Sequence, residues 1–234
     1  MLPVAILAGG LAKRLRPITD ALPKALVPVA GRPFILHQLD YLKSQGFKQV
    51  VMCTGYRAEQ IKQVVGDGAV CGLEVEYSDD GEKLIGTGGA LRKALPLLGP
   101  EFFVLYGDSF LPVEFNRVEQ AWHDKALPGL MTVLRNQGRW DTSNVLFESG
   151  HIIEYDKFQP RPEMQFIDYG IGVLRTEVFN RYPDSEAFDL ATVYHQLAVR
   201  GLLGGFEVFE RFYEIGSTRG LAETEEYFLT METT

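Results

Sequence analysis

Two glycines followed by a run of cations, Leu7-Ala8-Gly9-Gly10-Leu11-Ala12-Lys13-Arg14-Leu15-Arg16-Pro17, are the residues of this chain best suited to chemistry on phosphate, with a further cation at Pro23-Lys24. Glycine lets backbone N–H groups approach an anion closely. Arginine presents several donors in one plane that match phosphate oxygens, and lysine supplies a point charge. The set suits a nucleoside triphosphate. Leu7, Ala8, Gly9 and Gly10 would cradle it, Arg14 would fold back on it, and the segment between Pro17 and Pro23 would bring Lys24 to the same pocket. Two other phosphate loops are excluded here. A Walker-type loop needs G-x-x-x-x-G-K-[ST] and a dinucleotide fingerprint needs G-x-G-x-x-G, and this loop has neither spacing.

A second candidate follows an apolar run, at Tyr106-Gly107-Asp108. A lone Gly-Asp reads equally well as a turn. Beside a triphosphate loop, Asp108 suits a Mg²⁺ ligand, because that ion takes one or two carboxylates plus phosphate oxygens. Gly86-Thr87-Gly88-Gly89 reads as a tight turn into a helix. His37, His123, His151 and His195 are scattered without ligand spacing and pair with no nucleophile, so none is assigned to catalysis. Cys53 and Cys71 also lack metal spacing. Cys53 lies in an apolar run and reads as a buried thiol, so a reducing, cytoplasmic setting is expected.

These residues need a scaffold, and the chain supplies alternating strands and helices in its first half. Strands are expected at Val4–Leu7, Gln49–Thr54, Leu73–Tyr77 and Phe102–Tyr106. Helices are expected at Phe34–Gln45, Ala58–Val65 and Gly89–Leu98. That repetition implies a mostly parallel sheet covered on both faces, with ligands at the C-terminal ends of its strands. In the second half Leu130–Arg135, Val145–Phe147, Ile152–Tyr155 and Phe166–Leu174 read as strands with no long helix between them, an antiparallel extension of the sheet. Helical signals return at Glu186–Arg200 and Leu221–Met231, around a strand at Gly205–Phe209. The expected fold is α/β, a Rossmann-like doubly wound mixed sheet. It forms one domain over 1–234, with a nucleotide-binding half to about residue 110 and, beyond it, a half whose loops would close over a second substrate.

Charge narrows the partners. The 234-residue chain carries a net −8, yet Lys13, Arg14, Arg16, Lys24 and Arg32 stand against Asp20 alone in its first 32 residues. Cations gathered at one loop of an acidic protein hold a small anion, not a nucleic acid. No apolar run approaches the ~18 residues of a membrane span, and the N-terminus runs directly into a strand instead of a signal peptide. Neither a membrane nor a nucleic acid is expected as partner, and a homo-oligomer stays an open expectation.

From Val4 to about Tyr227 the chain resembles the sugar-1-phosphate nucleotidyltransferases, also called NDP-sugar pyrophosphorylases. Their pattern of L-A-G-G-x-G-T-R-L-x-P, then P-K-x-L-x-P-V, then G-D after a central strand is matched by Leu7–Pro17, Pro23–Val29 and Gly107-Asp108. Ala12 stands where the family usually has a third glycine. The resemblance implies the nucleotide-diphospho-sugar transferase type of fold and a reaction of a nucleoside triphosphate with a sugar 1-phosphate, with Mg²⁺ as cofactor. It implies a second metal carboxylate at Glu214, in Glu214-Ile215-Gly216-Ser217, where the family has D-I-G-T/S, and Ser217 could also cap the helix that follows. It sets Gly86 and Thr87 near the base, with Glu82 or Lys83 as neighbours. On the sugar side it implies Glu154 as a hydroxyl acceptor, Lys157 as the cation for the sugar phosphate, and Asp168 in place of the family's common Asn. Asn144 is a further sugar contact. Arg14, Lys24, Asp108 and Lys157 would be catalytic. Within the family the expectation is a guanylyltransferase acting on D-glycero-α-D-manno-heptose 1-phosphate. The alternatives are a uridylyltransferase for N-acetylmuramic acid 1-phosphate or a related hexose 1-phosphate and, outside catalysis, a silent nucleotide-sugar-binding regulatory subunit. A glycosyltransferase would normally show D-x-D, which Tyr106-Gly107-Asp108-Ser109 does not supply.

Overall fold

Alternate residues along each central strand face opposite layers, and that period of two decides how the chain folds. The structure is a computed structural model that describes residues 1–10, 15, 17–81, 83–183 and 187–232, the side chains at 18 and 232 excepted. The first half contains β1 (Val4–Leu7), α1 (Ile18–Ala21), β2 (Pro28–Val29), β3 (Arg32–Pro33), α2 (Phe34–Ser44), β4 (Gln49–Thr54) and α3 (Ala58–Val65). It continues through β5 (Glu74–Asp79), α4 (Gly86–Ala94), β6 (Glu101–Tyr106) and β7 (Ser109–Phe110). The second half contains α5 (Phe115–Lys125), β8 (Gly129–Arg135), β9 (Val145–Glu148), β10 (His151–Tyr155) and β11 (Phe166–Arg175). It ends with α6 (Leu190–Val199), β12 (Leu203–Val208), β13 (Tyr213–Glu214) and α7 (Thr218–Glu232).

One nine-stranded sheet runs through both halves in the order β5-β4-β1-β6-β11-β8-β12-β10-β9. β5, β4, β1 and β6 are parallel. β11 pairs antiparallel with both β6 and β8. From β1 the chain steps outward to β4 and β5, then returns to place β6 on the other side of β1. This reversal opens a crevice at the C-terminal ends of β1 and β6, where such sheets bind ligands.

In β1, Val4 and Ile6 enter one core and Ala5 the other; in β4, Val50 and Met52 oppose Val51 and Cys53; in β6, Phe103 and Leu105 oppose Phe102 and Val104. The first core is closed by Ile35, Leu39 and Leu42 of α2, Ile61 of α3, and Phe115, Val118 and Trp122 of α5. The second is closed by Ala90, Leu91 and Ala94 of α4 with Leu190, Val193 and Leu197 of α6. A third, small core gathers Leu15, Val27, Phe34, Phe110 and Ile215 beside α7.

Two features depart from expectation. α5 occupies a stretch read without a helix, because only Phe115, Val118 and Trp122 of its residues are buried and the apolar stripe is sparse. β12 starts at Leu203, two residues before the expected Gly205, and lies parallel to β8 with Leu203 opposite Gly129. α6 returns the chain to the end of the sheet at which β8 begins, and that sets the direction. Among the described residues no helix is long and apolar enough to cross a membrane.

Candidate active site

The loops leaving β1 and β6 meet at the crevice. The Gly107 N–H donates to the Leu7 carbonyl at 2.9 Å, and the Ala8 N–H donates to the Cys53 carbonyl at 2.8 Å. The approach demands glycine: a Cβ at 107 would stand 3.1 Å from both the Leu7 oxygen and the Ala8 Cβ. Around this junction lies a cavity of about 240 Å³, and Leu7, Ala8, Gly9, Gly10, Lys24, Gly86, Thr87 and Asp108 all line it. Lys24 opens a 3-10 turn, Lys24–Leu26, whose Ala25 and Leu26 are buried; the fixed φ of Pro23 sets its direction. Its ammonium lies on the Asp108 carboxylate. Gly86, at φ +75°, turns the chain against the Phe188 carbonyl, where a Cβ would stand 2.4 Å away.

Asp108 also belongs to a larger cavity of about 430 Å³, lined by Asn144, Asp168 and Glu214 among the expected residues. Asp108 and Glu214 come together through a two-stranded ladder in which Ser109 of β7 pairs with Glu214 of β13. The Ile215 N–H donates to the Asp108 carbonyl at 2.9 Å. The Glu214 carboxylate is fixed by the Gly216 N–H and by the Ser217 hydroxyl, the latter at 2.6 Å. Ser217 caps α7, accepting the Gly220 N–H at 2.9 Å. From α2, Gln38 donates to the carbonyls of Tyr106 at 2.9 Å and Ser109 at 2.6 Å, bracketing Asp108.

Asn144 and Asp168 form one wall of the larger cavity. The Asn144 Oδ1 accepts the Asp168 N–H at 3.2 Å, and the Asp168 carboxylate accepts the Gly170 N–H at 3.0 Å. Burial pushes the Asp168 carboxyl up to about 6, against the opposing pull of that N–H and of Lys157. Another part of the lining is an arginine sandwich. Arg211 lies 4.2 Å from the Trp140 ring centroid and 4.5 Å from that of Tyr213. Glu223 bridges Arg211 and Arg219 at 2.6 and 2.7 Å.

Glu154 and Lys157 line neither cavity. Glu154 pairs with Arg161, and Lys157 lies 3.2 Å from Asp189. Arg14 and Glu82 lie outside the described residues, as do Leu11, Ala12, Lys13 and Arg16. Besides the Arg211 and Trp140 wall, two further residues of the site were not expected from the sequence. Gln38 is read there as part of a helix face, with nothing to distinguish it from its neighbours. Asp80 lines the smaller cavity. Burial pushes its carboxyl up to about 6, outweighing Lys93 and the Ile85 N–H, and its Oδ1 is enclosed without a partner among the described residues. In the sequence, Asp79-Asp80-Gly81 is an acidic turn like many others.

A phosphate-type loop at the switch point of a parallel sheet, with a second cavity sharing Asp108, defines an α/β protein built to join a nucleotide to another molecule. The chain belongs to the nucleotidyl transferase family, whose model matches residues 4–181, and is an enzyme of the sugar-1-phosphate nucleotidyltransferase class. It is 31% identical over 183 residues to a D-glycero-α-D-manno-heptose 1-phosphate guanylyltransferase of Campylobacter jejuni, covering 78% of this chain and 80% of that protein. It is 39% identical over 116 residues to an N-acetylmuramate α-1-phosphate uridylyltransferase of Neisseria meningitidis, a match spanning 49% of this chain and 50% of that relative. Its fold is similar to HddC from Yersinia pseudotuberculosis complexed with GMP-PN, with a TM-score of 0.80 at 22% identity over 97% of this chain and 100% of that one. A putative glucose-1-phosphate thymidylyltransferase from Bacillus anthracis shares the fold at a TM-score of 0.84 and 21% identity, over 97% and 95% of the two chains.

Proposed function

We propose that this nucleotidyltransferase takes GTP and D-glycero-α-D-manno-heptose 1-phosphate in the cytoplasm and gives the GDP-sugar and pyrophosphate. The observation that carries the reading is the position of Lys24 and Asp108 where the cavity beside the Gly9–Gly10 loop meets a second, polar one. An oxygen of the sugar phosphate attacks the α-phosphorus in line. The bond from that phosphorus to the bridging oxygen of the β-phosphate breaks, and pyrophosphate leaves with the electron pair. The attacking oxygen is already ionised, so no general base is needed, and catalysis rests on positioning and charge. Arg14 and the Gly9–Gly10 loop hold the β- and γ-phosphates, Lys24 the α-phosphate, and Lys157 the incoming sugar phosphate. Asn144, Glu154 and Asp168 accept sugar hydroxyls.

Mg²⁺ fits the donor set. Among the described residues no three His, Cys, Asp or Glu side chains cluster as a ligand shell. Asp108, in the turn before β7, and Glu214, on the β13 strand that pairs with β7, are two carboxylates lining one cavity, which suits an ion that completes its shell with phosphate and water oxygens. When bound, it would offset the negative charge of the triphosphate.

The resemblance to the Campylobacter enzyme supports guanine. The Neisseria relative favours a second reading, UTP with N-acetylmuramic acid 1-phosphate. A pyrophosphate-release screen of four nucleoside triphosphates against a panel of sugar 1-phosphates tests both. Release with GTP is expected, release with UTP alone rejects guanine, and silence with every pair from the folded protein supports a regulatory subunit. Lys24→Ala and Asp108→Ala are each expected to abolish release in a folded protein, and full activity in either rejects the scheme.

A further inference from the structure

One carboxylate ties the two halves of the site together. The Oδ2 of Asp189 lies 3.2 Å from the Lys157 ammonium. Its Oδ1 accepts the Thr87 hydroxyl at 3.1 Å and the Ala191 N–H at 2.9 Å. The Thr87 oxygen in turn accepts the Leu190 N–H at 2.8 Å. The Phe188 carbonyl next to it receives the Gly88 N–H at 3.0 Å and the Gly89 N–H at 3.3 Å. Three elements therefore converge on residue 189: the turn into α4 that lines the nucleotide cavity, the start of α6, and the loop leaving β10.

Capping α6 requires only one acceptor, and asparagine or serine would supply it. The second oxygen of Asp189 is spent on a lysine far away in sequence. The Lys157 side chain is 48% exposed and sits on a flexible four-carbon stem, so nothing else in its surroundings fixes it as firmly. It is also close enough to Asp168, in the wall of the larger cavity, to lower that carboxyl.

We propose that Asp189 is a positioning residue that clamps Lys157 to the Thr87 turn, so that the cation for the sugar phosphate and the wall of the nucleotide cavity move as one body. The clamp rests on the reading of Lys157 as that cation. Asp189→Asn separates clamp from cap: it keeps an acceptor for Ala191 and Thr87 but turns a neutral amide toward Lys157. Asp189→Ser keeps an acceptor for the Ala191 N–H and presents no charge to Lys157, and it serves if the asparagine variant folds poorly.

The test is steady-state pyrophosphate release with GTP and heptose 1-phosphate, or the pair selected by the screen above, for wild type, Asp189→Asn, Lys157→Ala and the double variant. Asp189→Asn is expected to raise the KM for the sugar 1-phosphate about tenfold, as for loss of a charge-assisted hydrogen bond. The KM for the nucleotide and the thermal midpoint stay at wild-type values. The double variant should be no worse than Lys157→Ala. Wild-type constants in Asp189→Asn overturn the clamp, as does equal loss toward both substrates with a lowered midpoint, or additive losses in the double variant. Wild-type constants in Lys157→Ala overturn the role of Lys157 itself, while continued release of pyrophosphate leaves the enzyme class intact.

Discussion

Glu214 occupies the space that a side chain at Gly220 would need. A Cβ at 220 would fall 1.8 Å from the Glu214 Oε1. Glycine inside a helix ordinarily costs roughly 0.5–1 kcal/mol relative to alanine, so Gly220→Ala in α7 would be stabilising if residue 220 stood free. Here the methyl group must displace a carboxylate held by Gly216 and Ser217. Gly220→Ala is expected to lower turnover at least ~10-fold, a loss comparable to that of an outer-shell partner in a metal site, and to raise the Mg²⁺ concentration for half-maximal activity. Titrating pyrophosphate release with Mg²⁺ checks this, and unchanged titration would show that Glu214 is remote from the ion.

Chelation gives a direct test of the carboxylate pair. Excess EDTA should stop pyrophosphate release, and added Mg²⁺ should restore it. Glu214→Ala should shift the Mg²⁺ requirement upward while the far-ultraviolet circular dichroism stays constant. Activity that persists in EDTA would remove the metal from the mechanism.

Gln38 supports Asp108 without touching its carboxylate. Gln38→Leu keeps the volume but leaves the Tyr106 and Ser109 carbonyls without their donor. Each such loss costs roughly 1–3 kcal/mol. A fall of that order in urea stability is expected, together with a drop in kcat larger than any change in KM for the nucleotide.

Asp168 makes stability depend on pH. Its folded carboxyl sits near 6 against an ordinary 3.8, because burial disfavours its charge. The fold therefore binds this proton more tightly than the unfolded chain does. The contribution is complete below pH 3.8 and is lost as pH rises through about 6. Asp168→Asn removes that titration, so the variant should gain about 3 kcal/mol over wild type at pH 7.5 and little near pH 4. Thermal unfolding at both values decides it. If the ionised form accepts sugar hydroxyls, the wild-type KM for the sugar 1-phosphate should fall as pH passes 6, and the asparagine variant should lack that step.

The parts of the site carried by continuous segments were legible in the sequence. β1 with its two glycines, the Pro23-Lys24 turn and β6 with Asp108 are short apolar strands or turns followed at once by polar residues, and each falls at the crevice as the strand order requires. What was not legible depends on register or on long-range closure. Ser109 meets Glu214 only because β7 and β13 form their own small ladder. The motif pointed to Glu214, while nothing local says that Gly220 must make room for it. Asp80 enters the nucleotide cavity only once β5 has paired with β4. Asp189 falls inside the stretch read as helical from Glu186; it caps α6 because the helix starts at Leu190, and its second partner appears only when the β10 loop is in place. α5 was missed because three buried side chains on a polar helix leave too faint a period.

The two cavities have almost nothing in common. Among the described residues, Tyr106 and Asp108 alone line both. One wall comes from loops after parallel strands, and the other from β11, the Trp140 segment and α7. Each recognition surface can therefore diverge, or be grafted from a relative, while the other keeps its shape. If the two cavities take the two substrates as proposed, a change of sugar would be written mainly in the second half of the chain and a change of base in the first, with Asp108 as the hinge of inheritance between them.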